Sequence, residues 1–391
     1  MDSDGDPDYY PYQTLYGLGY KNGSEAGAYF TVIANPSLKW ETQISTDIAL
    51  EFGLFDRLTG TIEYFKKDSK DLLFDVSQPA SVGVTSIIQN IGKVTNSGVE
   101  IELDYNAFKN KDWSVSVGAN ATFVKNKIKN LPATMKENGY ISGSKKWLEG
   151  KSIYEFWLRQ WHGVDPQTGD GLYVADVSKY NQGNIGTGDG NITQSQFDEY
   201  KKTVVTIDGK ELTNSYTYAK YDFSGSSIPD VYGGFNVRVS YKNFDLAAVF
   251  SYQLGGQILD TNYATMMSMT EFGYAQSPDL LKAWKQAGDI TEVPRIDNSA
   301  AHTTNIGQSY STRWLTSSDY LNLRSVTIGY QLPKTWLSKV MLKSARLNLT
   351  AENLFMLKAR QGLNPMANYS GVTYNEYMPV SYTHLTLPTI A

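Results

Sequence analysis

Asn96-Ser97-Gly98-Val99-Glu100-Ile101-Glu102-Leu103-Asp104-Tyr105-Asn106-Ala107 is the stretch that decides the fold. Val99, Ile101, Leu103, Tyr105 and Ala107 fall on one side of it, and Glu100, Glu102, Asp104 and Asn106 on the other. Successive side chains of a strand point to opposite faces, so this is a pleated strand with one apolar and one polar surface. The pattern recurs. Residues 40–54 set Ile44, Ile48, Leu50, Phe52 and Leu54 against Gln43, Ser45, Asp47 and Glu51. Further strands are expected at 58–67, 94–107, 113–125, 154–164, 232–242, 244–254, 320–332 and 345–357, about ten in all when the less regular stretches are added. Between Leu323 and Val326 the alternation slips phase, which predicts a bulge.

The connections are lopsided. Short ones fall at 55–57, 108–112, 242–243 and 333–344, and long ones at 68–93, 126–153, 165–231 and 257–319. Loops beyond ~15 residues are uncommon in compact domains. Their regular alternation with tight turns is the signature of an antiparallel barrel that crosses a membrane and meets the outside at one end. Aromatics gather near the short turns (Tyr64, Phe65, Phe108, Trp113, Tyr241, Phe244, Tyr330, Trp336), as an interfacial girdle requires. One short loop helix is expected from Asp279 to Gln286. A soluble antiparallel sandwich alternates in the same way and stands as the other reading of the pattern.

Composition narrows the classes. The 391 residues are 41% hydrophobic and 13% aromatic, with 28 Tyr and 8 Trp. Mean hydropathy is −0.37, and no stretch approaches the ~20 apolar residues of a spanning helix. A barrel strand is only half apolar, so that class stays open. Net charge is −5 without a basic stripe, so nucleic acid is not an expected partner. There is no cysteine, which removes disulfides, thiolate metal sites and thiol nucleophiles. The start, Met1-Asp2-Ser3-Asp4-Gly5-Asp6, has neither the basic start nor the apolar core of a signal peptide.

Five phrases then resemble one family in order. Asn35-Pro36-Ser37-Leu38-Lys39-Trp40-Glu41 and Asn90-Ile91-Gly92-Lys93-Val94-Thr95-Asn96-Ser97-Gly98-Val99-Glu100 come first. Pro229-Asp230-Val231-Tyr232-Gly233-Gly234-Phe235 follows, with Tyr241-Lys242-Asn243-Phe244-Asp245 after it. Asp319-Tyr320-Leu321-Asn322-Leu323-Arg324-Ser325-Val326-Thr327-Ile328-Gly329-Tyr330 is next, and Glu352-Asn353-Leu354-Phe355 with Gly362-Leu363-Asn364-Pro365 closes the series. Together they resemble the SusC/RagA-type TonB-linked outer-membrane transporters. The resemblance implies an all-β fold, part of a 22-stranded transmembrane antiparallel up-and-down barrel with long extracellular loops. It also implies TonB-dependent import of oligosaccharides or peptides, and no enzymatic activity. Implied partners are a SusD-like surface lipoprotein, outer-membrane lipid and, through an N-terminal part, the TonB–ExbB–ExbD complex. The implied location is the outer membrane of a Gram-negative bacterium. Residues 1–380 are expected to be the C-terminal portion of the barrel, without plug or TonB-contact segment. Residues 381–391 resemble translated adapter sequence and are expected to be a non-native tail, because Pro388 would interrupt a last strand. The alternative function is a soluble β-rich carbohydrate-binding or glycan-hydrolysing protein.

Candidate chemistry is sparse, and no catalytic, cofactor-binding, metal or substrate-contact residue is assigned. Three histidines (His162, His302, His384) leave little room for a triad or a zinc site, and His162, beside the aromatic run Trp157 to Trp161, is expected to be an interfacial or packing residue. Gly150-Lys151-Ser152 lacks the upstream glycine of a phosphate loop, since Lys145 stands there. Asp189-Gly190-Asn191-Ile192-Thr193 has the look of a calcium loop, yet its ligand positions carry Ile185, Thr187 and Gln196. Asp165 and Asp170 are expected to serve Asx-type turns. Glu100 and Glu102, about 7 Å apart on one strand face, suit a polar lumen better than glycoside chemistry. The long segments are expected to carry exposed aromatics such as Tyr180, Tyr200 and Tyr274.

Overall fold

The computed structural model describes residues 12–78, 80–84, 86–188, 190–269, 276–337, 342–366, 371–373 and 385–386. Alternating segments become eight long strands: β1 (Thr42–Leu54), β2 (Leu58–Ser77), β3 (Ser86–Lys109), β4 (Trp113–Asn130), β5 (Val231–Tyr241), β6 (Phe244–Leu254), β7 (Tyr320–Gln331) and β8 (Arg346–Lys358). They lie side by side in chain order in one antiparallel sheet, with Leu385–Thr386 paired to β8 as a ninth, two-residue member. No helix among the described residues is long and apolar enough to cross a membrane.

Register aligns the apolar faces across the whole sheet. One row runs Phe52, Gly60, Leu103, Ala119, Phe235, Phe250, Leu323 and Phe355, each paired with the next. The neighbouring row runs Leu54, Leu58, Tyr105, Val117, Val237, Ala248, Val326 and Ala351. A one-residue slip anywhere would turn the apolar residues of that strand to the polar face, so side-chain pattern and register fix each other.

The tight turns explain their own sequences. At 55–56 both residues sit left-handed (Phe55 φ 57°, Asp56 φ 51°), the twist that a two-residue hairpin favours. At 110–112 the Asn110 Oδ1 accepts from the amides of Asp112 and Trp113 at 2.9 and 2.7 Å. The predicted bulge is present: Val249 pairs with Ser325 but Phe250 with Leu323, leaving Arg324 unpaired on that edge. On the other edge the slip is taken up in β8, where Asn353 adopts φ 52°.

Three expectations need correction. The segment 68–93 is mostly strand: β2 and β3 stay paired out to Ser77 and Ser86, and only 78–85 connects them. Register shifts at Lys70, Leu72 and Leu73, with Asp71 at φ 56°, break the alternation that would have revealed this. The expected strand 154–164 is outside the wall. It splits into Glu155–Arg159 and Trp161–Val164, which belong to two separate four-stranded sheets. Tyr64 and Phe65 are mid-strand, not beside a short turn, and Phe65 packs over Gly98 on the polar face.

The long segments 131–230 and 255–319 fold into a cap with its own cores. Phe156, Leu158, Leu259, Leu280, Ile306 and Trp314 centre one, and Tyr180, Ile192, Tyr200 and Tyr218 another. A third joins the cap to the wall: Leu131, Met135 and Trp147 pack on Val94, Ile128, Leu72 and Phe74. In β3, Val94 shares its face with Glu100 and Glu102, because the pairing is continuous between them. The cap therefore sits on the polar face, and the opposite face, with Val99, Ile101 and Leu103, is left bare. The expected helix at 279–286 is only a 3-10 turn, Pro278–Lys282 capped by Ser277. An α-helix at Gln194–Thr203 and a hairpin of Leu15–Asn22 with Glu25–Val32 were not anticipated.

Candidate functional site

The polar face of the wall, on the side of the cap, is the candidate site. Register concentrates carboxylates there: Glu63 lies opposite Glu100, and Glu51 and Glu102 flank Thr61 in one row. Asp104 pairs with Gly118, which pairs in turn with Asn236. A side chain at Gly118 would strike the Asn236 amide at 2.6 Å and the Asp104 carboxylate at 2.7 Å, so glycine keeps this row open. A cleft of about 420 Å³ lies against these strands, lined among others by Glu51, Thr59, Thr61, Glu102 and Asp104. Ionised carboxylates only accept hydrogen bonds. The arrangement suits hydroxyls, amides and ammonium groups, and holds no base–nucleophile pair.

The cap is held by cations laid on rings. Arg313 is half-buried, with its guanidinium 4.8 Å from the Trp161 ring and 4.3 Å from Trp314, and donates to the Ile306 carbonyl at 3.0 Å. Arg159 lies 4.7 Å over Tyr221 and 5.0 Å over Tyr216. Burial pushes the Tyr173 phenol up to about 12, against the pull of Arg313 and Arg159, and its hydroxyl donates to the Asn305 carbonyl at 2.6 Å. These contacts are internal to the cap. They fix its shape.

The residues singled out in the sequence do not come together. His162 is exposed on the short strand Trp161–Val164, so of its two expected roles, interfacial or packing, packing does not hold. His302 is buried, its Nε2 2.9 Å from the Arg295 carbonyl and its Nδ1 3.7 Å from Asp170. His384 lies outside the described residues. Asp165 does make the expected Asx turn, accepting from Gln167 N at 2.8 Å and Thr168 Oγ1 at 3.0 Å. Asp170 instead pairs with Arg295 at 2.6 Å, and the nearby His302 and Arg295 hold its carboxyl below the usual range. The Gly150 amide donates to the Ile128 carbonyl at 2.9 Å and the Lys151 carbonyl accepts from the Ile128 amide at 2.8 Å, so these groups tie the turn to the end of β4. Asp189 is outside the described residues, and Thr193 caps the unforeseen helix. Tyr180 and Tyr200 are not exposed: they are 8% and 1% accessible and stack at 5.2 Å in a cap core. Tyr274 is outside the described residues.

The quoted phrases turn out to be joints of the wall. Asn35 Nδ2 donates to Ile88 O at 2.8 Å, Asn90 Nδ2 donates to Lys39 O at 2.8 Å and Asp71 O at 2.7 Å, and Glu41 accepts from Leu73 N at 2.8 Å. Two phrases thus clamp each other around the left-handed Asp71. At Gly233 an added Cβ would lie 2.1 Å from the Asn120 carbonyl, so only glycine admits β4 there. Asn353 supplies the left-handed residue of the β7–β8 bulge, a conformation Asn tolerates better than most residues do.

Residues 6–254 match the family model described as TonB dependent receptor-like, beta-barrel. The chain belongs to this family. It is 29% identical over 378 residues to TonB-dependent receptor P3 of Formosa agariphila, covering 93% of this chain and 35% of that protein. It is 24% identical over 358 residues to TonB-dependent receptor SusC of Bacteroides thetaiotaomicron, covering 88% and 31%. Among solved structures, the RagAB peptide importer in its closed-closed state is similar at a TM-score of 0.71 and 25% identity, over 94% of this chain and 37% of that one. Its open-open state gives 0.68 at 24% identity, with the same shares. This chain spans about a third of the length of the relatives it matches.

Proposed function

We propose that residues 1–380 form part of the wall and the outer cap of a TonB-dependent importer of oligosaccharides or peptides in the outer membrane of a Gram-negative bacterium. The observation that carries this reading is the two-faced sheet. Whole rows of one face are apolar and unoccupied by the protein's own loops, and the other face is acidic and roofed by folded long segments. Spanning structures made of strands need an apolar outside and tolerate a polar inside. The aromatic row Trp113, Tyr241, Phe244 and Tyr330 runs along the end with the tight turns, each residue paired with the next. Rings of this kind settle at the interface, here on the periplasmic side.

The cap is the surface for a SusD-like lipoprotein, and the acidic cleft is on the solute's path. Coupling to TonB–ExbB–ExbD is assigned to parts of such a transporter beyond the third that this chain matches. The similarity to a protein named as a peptide importer supports the peptide arm of this reading, and the choice between the two solute classes falls to the uptake test. A soluble glycan-binding or hydrolytic protein has no observation in its favour.

The test is uptake by cells carrying the whole transporter. Labelled oligosaccharide and peptide pools should enter in a TonB-dependent manner, and deletion of the gene should abolish entry of one pool. Entry that is indifferent to both TonB and the gene would defeat the reading.

A further inference from the structure

We propose that Lys66, Lys70, Lys93, Lys125 and Lys127 form a binding site for the phosphorylated headgroup of an outer-leaflet lipid. All five lie on the bare face of the sheet, in phase with the apolar residues below them. Lys66 pairs with Ser97 and Ser97 with Lys125; Asp68 pairs with Thr95 and Thr95 with Lys127; Lys70 pairs directly with Lys93. The three rows continue the apolar rows Tyr64–Val99–Phe123 and Ile62–Ile101–Ala121 of the same strands. The face changes there from wholly apolar to strongly basic within one step of the pleat.

The charge is not balanced within the protein. Asp68 is the one acid in the array, 3.3 Å from Lys66 and 4.0 Å from Lys93, and its other bond goes to Thr95 Oγ1 at 2.6 Å. Among the described residues Lys70, Lys125 and Lys127 have no ion pair. Like charges directly opposite across a sheet repel, so the Lys70–Lys93 pair is unfavourable unless an anion from outside joins it. Three strands at ~4.8 Å spacing and about four residues of rise give a patch of roughly 10 by 13 Å, the scale of a headgroup bearing more than one phosphate.

Its height fits a membrane boundary. On β4, twelve residues separate Trp113 in the aromatic row from Lys125, about 40 Å along the strand at ~3.3 Å per residue. At the usual tilt of ~45° this becomes roughly 28 Å, close to the apolar height of an outer-membrane barrel. The lysines therefore stand at the headgroup level opposite the tight turns, on the side of the cap. This placement rests on the barrel reading above; the phosphate preference does not follow from it.

The experiment uses the whole purified protein in detergent, with bound lipid counted by native mass spectrometry. Probes are bis-phosphorylated lipid A, the same lipid dephosphorylated, and inorganic phosphate as competitor. The bis-phosphorylated lipid should bind, and Lys93→Gln/Lys125→Gln/Lys127→Gln should weaken it on the order of a hundredfold, each lost lysine removing one attraction to the anionic surface. Lys93→Arg/Lys125→Arg/Lys127→Arg should retain binding, which separates charge from fold. Lys109→Gln/Lys111→Gln, at the turn end, should leave it unchanged. Undiminished binding in the Gln triple, equal binding of the dephosphorylated lipid, or displacement by inorganic phosphate overturns the inference. Insertion is followed separately by protease protection in liposomes. An inserted protein that lacks phosphate-dependent binding sinks this proposal alone, whereas a protein that does not insert sinks the barrel reading and the proposal with it.

Discussion

Ile101 and Glu102 are neighbours in sequence and opposites in surroundings, one in the apolar row with Ile62 and Ala121, the other beside the acidic cleft. In the whole transporter, Ile101→Arg should cost about 2–4 kcal/mol near the bilayer midplane and Glu102→Ala close to nothing. Urea unfolding in lipid vesicles reads both, and equal tolerance would reverse the faces. A second residue reports on the cap. Lys145 Nζ lies 3.1 Å from the Phe156 ring centre and donates to Tyr154 O at 2.9 Å and Ser227 Oγ at 3.1 Å. Burial lowers its pKa from the ordinary 10.5 to about 7, with the Glu155 carboxylate pulling it back up. Between these values the unfolded cap holds a proton that the folded cap does not, so stability rises with pH from about 7 to 10.5 and the full penalty applies below 7. Melting of the whole protein across that window should show this rise, and Lys145→Met should flatten it; an unchanged slope would remove Lys145 as the cause. The alternating faces were legible residue by residue. The burial of Tyr180 and Tyr200 was not, because two tyrosines twenty positions apart carry no periodic signal of meeting in one core.

Elements were readable where one physical period ran uninterrupted. β1, the lower half of β3, β5 and β6 keep strict alternation and fall where the sequence places them. The upper halves of β2 and β3 are lost to the eye at Asp71, where two register shifts put apolar residues out of phase while the backbone pairing continues. The helix Gln194–Thr203 did have a signal. Thr193 and Gln196 form a capping box, with Gln196 N to Thr193 Oγ1 at 3.2 Å and Thr193 N to Gln196 Oε1 at 2.8 Å. A Thr-x-x-Gln spacing ahead of Phe197 and Tyr200 marks such a start, although Thr193 also closes the stretch that has the look of a calcium loop. Thr193→Ala should destabilise this helix by about 1 kcal/mol, seen as faster amide exchange over 194–203 with the wall amides unchanged. Faster exchange in the wall as well would mean that the helix and wall unfold as one unit. At the other end, Asn353 holds the β7–β8 bulge with a positive φ. Asn353→Val should cost on the order of 1–3 kcal/mol, the usual strain of a β-branched residue held there, and Asn353→Gly much less. Thermal melts of the two variants distinguish that strain from loss of an amide contact, which would make both equally unstable.

At the scale of the molecule, the 391-residue chain cannot satisfy its own edges. Among the described residues β1 is hydrogen-bonded to β2 alone, and nearly every residue of it is exposed. Its outer edge is a row of free N–H and C=O groups, each costing several kcal/mol in hydrocarbon. The apolar face beside it exposes Ile48 at 66% and Leu50 at 63%, far from the conditions of a soluble surface. Closing the sheet by joining β1 to β8 would require eight strands to take a curvature and stagger different from those of a 22-stranded wall, since strand number, shear and tilt are linked. Escape by self-association is cheaper, because a bare edge pairs readily with the same edge of another copy. Expressed alone, the chain should therefore collect in inclusion bodies. In cells lacking the transporter it should restore no uptake, and in lipid vesicles it should give no heat-resistant barrel band. The folded cap, with its own buried cores, should survive where the wall does not, so mild proteolysis of refolded material should release protected fragments from 131–230 and 255–319. Recovery of uptake from this chain alone would show that the eight strands close on themselves, and with that the assignment of the sheet to a larger wall would fall.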